Sequence, residues 1–116
     1  MKVAGKSNVG RRRVRNEDFF YISESETSLG RLFIIADGMG GANGGNVASS
    51  LAVSSFLDFY NNKAKKDADD PEILDIIVEG VALSNLKVYE AAQRDIGLDG
   101  MGTTFTVLII KNKKAY

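Results

Sequence analysis

The chain contains no cysteine and no histidine, and these two absences together remove disulfides, thiol nucleophiles, zinc fingers and imidazole bases. Any metal chemistry must therefore use oxygen ligands. No run approaches the roughly 18 consecutive apolar residues that span a bilayer, and Met1 to Gly10 has no long apolar core. Neither membrane insertion nor export is expected, which makes the cytoplasm the default location. The 15 lysines and arginines balance 15 acids, so no global field draws nucleic acid or a membrane. Any charge argument must be local.

The 116 residues suit one domain, burying about two-thirds of the surface that the unfolded chain exposes. Val3 to Ser7 and Phe19 to Ile22 read as strands, Ser23 to Gly30 as a polar turn, and Leu32 to Ala36 as a buried strand, together an antiparallel meander. From Asn46 the spacing becomes helical through Val47, Leu51, Phe56, Phe59 and Tyr60, with Ala48 and Ala52 small enough for close packing. This helix is expected to reach about Asn61.

Residues 61–70 form a charged connection, and Asp70-Pro71 predicts a cap followed by proline at the first helical position. Ile73, Ile76, Ile77, Gly80, Val81, Ser84, Val88 and Ala91 then trace one helical face that should cover a sheet. Gly97, Gly100 and Gly102 end that helix. Thr103 to Ile110 reads as a further strand and Lys111 to Lys114 as a turn, after which a hairpin partner is expected and missing.

The segment Ile34-Ile35-Ala36-Asp37-Gly38-Met39-Gly40-Gly41-Ala42-Asn43-Gly44-Gly45 sets one carboxylate where a buried strand is expected to end and a glycine loop opens into a helix. Strand ends of this kind support sites. A second acidic group, Asn16-Glu17-Asp18, precedes the strand at Phe19, and a meander would bring the two together. Hard divalent cations prefer carboxylate, carbonyl and water oxygens, so Asp37, the Gly38 carbonyl, and Glu17 and Asp18 acting through water would suit Mg²⁺ or Mn²⁺. The plainer alternative has Asp37 capping a turn, with Glu17 and Asp18 solvated.

A nucleotide loop fits less well. There is no Gly-Lys-Ser/Thr ending, the Gly-x-Gly-x-x-Gly spacing is missed by one residue, and Asp58 falls inside the expected helix. Arg11, Arg12, Arg13 and Arg15 form the dense basic cluster, and the planar guanidinium fork suits phosphate. A solvated turn is the competing reading of that cluster, and nucleic-acid binding the weaker one.

Gly10-x-x-Arg13-x-x-Asn16-Glu17-Asp18, then Ala36-Asp37-Gly38-Met39-Gly40-Gly41 with Gly44 and Ala48-Ser49, then Gly100-Met101-Gly102-Thr103-Thr104, resemble the opening motifs of bacterial type 2C protein phosphatases. These are metal-dependent serine/threonine phosphatases. The motifs stand in family order across nearly the whole chain, so each supplies the context that supports the others. The resemblance implies an α+β fold, the first half of an α-β-β-α sandwich in which antiparallel strands are followed by two helices and a further strand. It also implies two Mn²⁺ or Mg²⁺ ions and a metal-bound water that attacks the phosphoryl group. Asp37 would bridge the metals, Gly38 would give a backbone carbonyl, Glu17 and Asp18 would hold metal-bound waters, and Arg13 would bind the substrate phosphate.

Asn8, Arg12, Ala42 and Asn46 stand where the family often has aspartate, valine, histidine and glutamate. None of these is a metal ligand there. Family domains are roughly twice this length, within the usual range for one domain, and the half not represented carries a Gly-Asp-Ser-Arg motif, an Asp-Gly pair and a closing Asp-Asn pair. Residues 1–116 are thus expected to be the N-terminal part of a single catalytic domain that hydrolyses phosphoserine and phosphothreonine in phosphoprotein partners. The chain alone is expected to be inactive, to hold metal weakly or not at all, and to self-associate through exposed sheet edges. A non-catalytic phosphate-binding or protein-interaction module is the alternative.

Overall fold

The computed structural model describes residues 1–40 and 44–116, so the expectations attached to Gly41, Ala42 and Asn43 lie outside the described residues. The elements run β1 (Asp18–Ile22), β2 (Arg31–Met39), α1 (Gly41–Lys63), α2 (Asp70–Arg94), a 3-10 turn (Ile96–Leu98), β3 (Gly102–Thr103), β4 (Thr106–Lys111) and β5 (Lys114–Ala115). The antiparallel sheet has the order β1-β2-β4-β5, and β3 pairs with the end of β2. This is the mixed α+β architecture expected of the sequence.

Strand β2 organises the molecule because its side chains alternate strictly. Leu32, Ile34, Ala36 and Gly38 are buried, while Ile35, Asp37 and Met39 are exposed. The buried side joins Ile109 of β4, Val53, Phe56 and Tyr60 of α1, and Ile73 of α2 in one cluster. Each large apolar side chain so enclosed contributes roughly 1.5–3 kcal/mol of transfer free energy. Both helices therefore lie on one face of the sheet, and the expectation that α2 covers a sheet holds through Ile73, Ile76, Ile77 and Val81. Ala48 and Ala52 meet Val88 and Ala92 in a second cluster, which lets the helices approach closely.

Several boundaries differ from the sequence reading. Strand β2 does not stop at Ala36, because Asp18 opposite Asp37 and Thr103 opposite Gly38 give its backbone partners as far as Met39. Residues 3–7 are not a strand. They lie over β1, where a Cβ on Gly5 would come within 2.6 Å of the Phe20 ring and 2.9 Å of Ile22 Cδ1; they meet the sheet through side chains, not through a backbone ladder.

Helix α1 begins before Asn46 and takes in Gly44 and Gly45. Propensity disfavours glycine in a helix by about 1 kcal/mol, yet the glycines fit here because anything larger would collide. A Cβ on Gly44 would stand 2.8 Å from Met101 Cβ, and one on Gly45 would stand 2.6 Å from Glu17 Cδ. Gly40, at φ 135°, makes the turn into the helix.

Helix α2 is capped by Asp69, one residue earlier than expected. Its carboxylate accepts from the Glu72 amide at 2.9 Å while Glu72 Oε2 accepts from the Asp69 amide at 2.9 Å, a reciprocal capping box. Asp70 instead accepts from Lys114 Nζ at 2.6 Å and from the Tyr116 hydroxyl at 2.7 Å. The hairpin partner thought to be missing is present as β5, joined to β4 through Asn112 and Lys113, both at positive φ. The strand expected over Thr103 to Ile110 is interrupted at Thr104 and Phe105, which separate β3 from β4. Among the described residues no helix is long and apolar enough to cross a membrane.

Candidate functional site

Asp18 opens β1 directly opposite Asp37 of β2, so the cross-strand register sets two carboxylates side by side on the face that the helices leave open. Like charges directly opposite one another are unfavourable in a sheet. Partial desolvation pushes the Asp18 carboxyl above its ordinary range, the facing Asp37 adds to this, and the nearby Arg13 guanidinium opposes it. Two facing carboxylates supply the oxygen donors that a hard cation takes. The residues present fit such an ion, although among the described residues no three His, Cys, Asp or Glu side chains are grouped closely enough to hold one by themselves.

The backbone around the pair is held from several directions. Thr104 brackets Asp37: its hydroxyl accepts from the Asp37 amide at 2.9 Å, and its own amide donates to the Asp37 carbonyl at 2.8 Å. Asn16 Oδ1 accepts from the Asp18 amide at 3.0 Å. The Glu17 carbonyl receives both the Gly38 amide, at 3.1 Å, and the Ser49 hydroxyl, at 2.7 Å. These bonds join the start of β1, the end of β2 and the first turns of α1 into one rigid corner.

Gly38 is required there by space. A Cβ on it would lie 2.0 Å from the Gly45 carbonyl oxygen and 2.7 Å from the Glu17 carbonyl oxygen, both backbone atoms that cannot yield. The Glu17 carboxyl lies against Gly45 and weighs least among the influences on Asp18. The structure thus sets Asp18 opposite Asp37, leaves Arg13 on an exposed turn within electrostatic reach of Asp18, sets Gly38 beside Asp37 in the strand, and turns the Glu17 side chain toward α1. Ser49, Thr104 and Asn16 stand within the quoted motifs, but sequence reasoning assigned them no part in positioning. Only the fold reveals their hydrogen bonds, since Thr104 is 67 residues from Asp37 in the chain.

A cleft of about 390 Å³ runs along the open face, with Phe20, Phe33 and Ile35 on its floor, Lys6 and Ser7 on its wall, and Asp18 and Asp37 among its lining residues. Arg13 belongs to an exposed turn whose neck is closed by Asn16 Nδ2 donating to Ser7 Oγ at 2.5 Å. Gly10, at φ 75°, donates its amide to Asn8 Oδ1 at 2.8 Å. This arrangement can hold a cation beside an anion-binding guanidinium.

Residues 4–116 match the family profile Protein phosphatase 2C. Protein phosphatase PhpP of Streptococcus pneumoniae is 32% identical over 118 residues, covering 100% of this chain and 46% of that protein. The serine/threonine phosphatase of S. agalactiae superposes with a TM-score of 0.70 at 36% identity, covering 87% of this chain and 40% of that one. The catalytic domain of the serine threonine protein phosphatase PstP, solved in complex with 2 manganese ions, gives a TM-score of 0.73 at 29% identity, over 92% of this chain and 42% of that one. The chain spans about half the length of the first of these relatives, or 46%.

Proposed function

Because the chain belongs to the protein phosphatase 2C family, we propose that it forms the N-terminal part of a single catalytic domain that hydrolyses phosphoserine and phosphothreonine in proteins. The observation that carries this reading is the facing of Asp18 and Asp37 beside Arg13. In the reaction a water oxygen bonds to phosphorus, the bond from phosphorus to the serine or threonine oxygen breaks, and inorganic phosphate leaves a free hydroxyl. Mn²⁺ or Mg²⁺ ions, two in the whole domain, would supply activation of the water and neutralise charge on the phosphoryl oxygens.

The residues of the site divide this work among them. Asp37 would be the direct carboxylate ligand, and the Gly38 carbonyl would be a further one. Asp18 orients water at the site through hydrogen bonds, and Glu17 acts through water from the α1 side. Arg13 takes the phosphate of the substrate, for which its planar fork is suited. Ser49, Thr104 and Asn16 fix the backbone on which these groups stand.

A second reading is a phosphate-binding or interaction module without turnover, for which the exposed Arg11, Arg12 and Arg13 would serve. Manganese binding and turnover separate the two. The 116-residue chain should bind Mn²⁺ weakly in calorimetry, lose that binding on Asp37→Asn, and leave an aryl phosphate intact. An unchanged manganese isotherm for Asp37→Asn overturns the site assignment. Manganese-dependent, chelator-sensitive turnover by the wild-type chain would show that its acids suffice for catalysis and remove the second reading.

A further inference from the structure

We propose that the turn before β1 selects substrates carrying a second anionic group close to the phosphoresidue, with Arg11 and Arg12 as the residues that read it. The inference rests on the phosphatase reading of Asp18, Asp37 and Arg13. Overall the chain is electrically balanced, yet Arg11, Arg12 and Arg13 are consecutive. All of them are exposed. Among the described residues the ion pairs are Arg94–Glu90 and Lys114–Asp70, and no carboxylate pairs with Arg11 or Arg12.

The turn is a built presentation of those cations. Its neck is tied by Asn16 to Ser7, its entry is set by Gly10 against Asn8, and its exit leads straight into Asp18. Ser7, to which Asn16 ties the turn, lines the same cleft as Asp18 and Asp37, so the turn that carries Arg11 and Arg12 borders the place where a phosphoryl group would sit. Successive Cα atoms are about 3.8 Å apart in both chains, so adjacent arginines reach groups roughly one to three residues from the phosphoresidue. A carboxylate or a second phosphate satisfies the guanidinium fork equally well in kind. A substrate lacking such a group leaves Arg11 and Arg12 solvated and gains nothing from them.

The test is binding of labelled phosphothreonine peptides to this chain by fluorescence anisotropy, at low and at high salt. The peptides have alanine, aspartate or a second phosphothreonine beside the central residue, and each has an unphosphorylated counterpart. Flanking aspartates should tighten binding roughly fivefold at low salt, the range of a few exposed charge pairs. Salt should erode that gain, and the doubly phosphorylated peptide should gain at least as much. Arg11→Ala/Arg12→Ala should cut the preference to less than about twofold, and Arg11→Lys/Arg12→Lys should restore part of it through charge alone.

An unchanged preference in the alanine variant overturns the proposal, as does the absence of any preference in the wild type or of any peptide binding at all. Failure of the phosphatase reading looks different. In that case the central phosphate adds nothing to binding and Arg13→Ala has no effect, whatever the flanking residues do.

Discussion

Gly80 lies in the interior of α2, where alanine would ordinarily improve the helix by about 1 kcal/mol. Here the exchange is expected to destabilise the protein. A Cβ at this position would stand 2.7 Å from Phe56 Cε2, 2.9 Å from Phe56 Cδ2 and 3.2 Å from Phe59 Cδ1. Phe56 is fully buried, with its ring centroid 6.0 Å from that of Tyr60 and 5.7 Å from that of Phe105, so it cannot swing aside without disturbing both neighbours. Overpacking of this kind costs about 1–3 kcal/mol, more than the helix gains. Gly80→Ala should therefore lose about 1 kcal/mol in urea denaturation, and its Tm should fall by roughly 4 °C for a domain of this size. In a Phe56→Leu background the collision is relieved, and the same substitution should become neutral or mildly stabilising. A Gly80→Ala protein that melts higher than the wild type would refute the packing argument, because the helix term would then have won.

Two further predictions concern the start of α2. Asp69→Ala removes the side-chain acceptor of the Glu72 amide and leaves the Asp69 amide still donating to Glu72; it should lower stability by about 1 kcal/mol, read from the urea midpoint, whereas Asp69→Asn should retain most of it. The Lys114 ammonium, and then the Tyr116 hydroxyl, hold the Asp70 carboxyl below its ordinary value of 3.8. The contribution of a depressed carboxyl is fully present above that value and is lost as pH falls through the lower folded one. The melting temperature of the wild type should exceed that of Asp70→Asn at neutral pH, and the gap should close in acid below 3.8; a gap that persists there would show that the pairing is not its source.

Where apolar periodicity was strong, the sequence was readable. The α2 face and strand β1 were found, and Asp18 and Asp37 were grouped on meander logic alone. What escaped reading was set by contacts distant along the chain. Gly44 and Gly45 looked like a loop because local propensity penalises them, and only the proximity of Met101 and Glu17 shows why a helix uses them. Val3 to Ser7 had strand composition, but its neighbours on the sheet face are side chains. The short β5 was hidden because a two-residue strand (Lys114–Ala115) carries no pattern of its own. In the site, the facing of Asp18 and Asp37 was legible, while the turn of Glu17 toward α1 and the hydrogen bonds of Ser49 and Thr104 required the fold.

The alternation of β2 has a consequence for how this stretch can change over generations. Asp37 stands between Ala36 and Gly38, both buried, and the pleat reverses every successive side chain. Replacing one side chain alters one face at one point. Inserting or deleting a single residue within the strand would drive a carboxylate under the helices and push core residues into the cleft, so fold and chemistry would fail in one event. Residues 31–39 should accordingly accept exchanges of letters far more readily than changes of length.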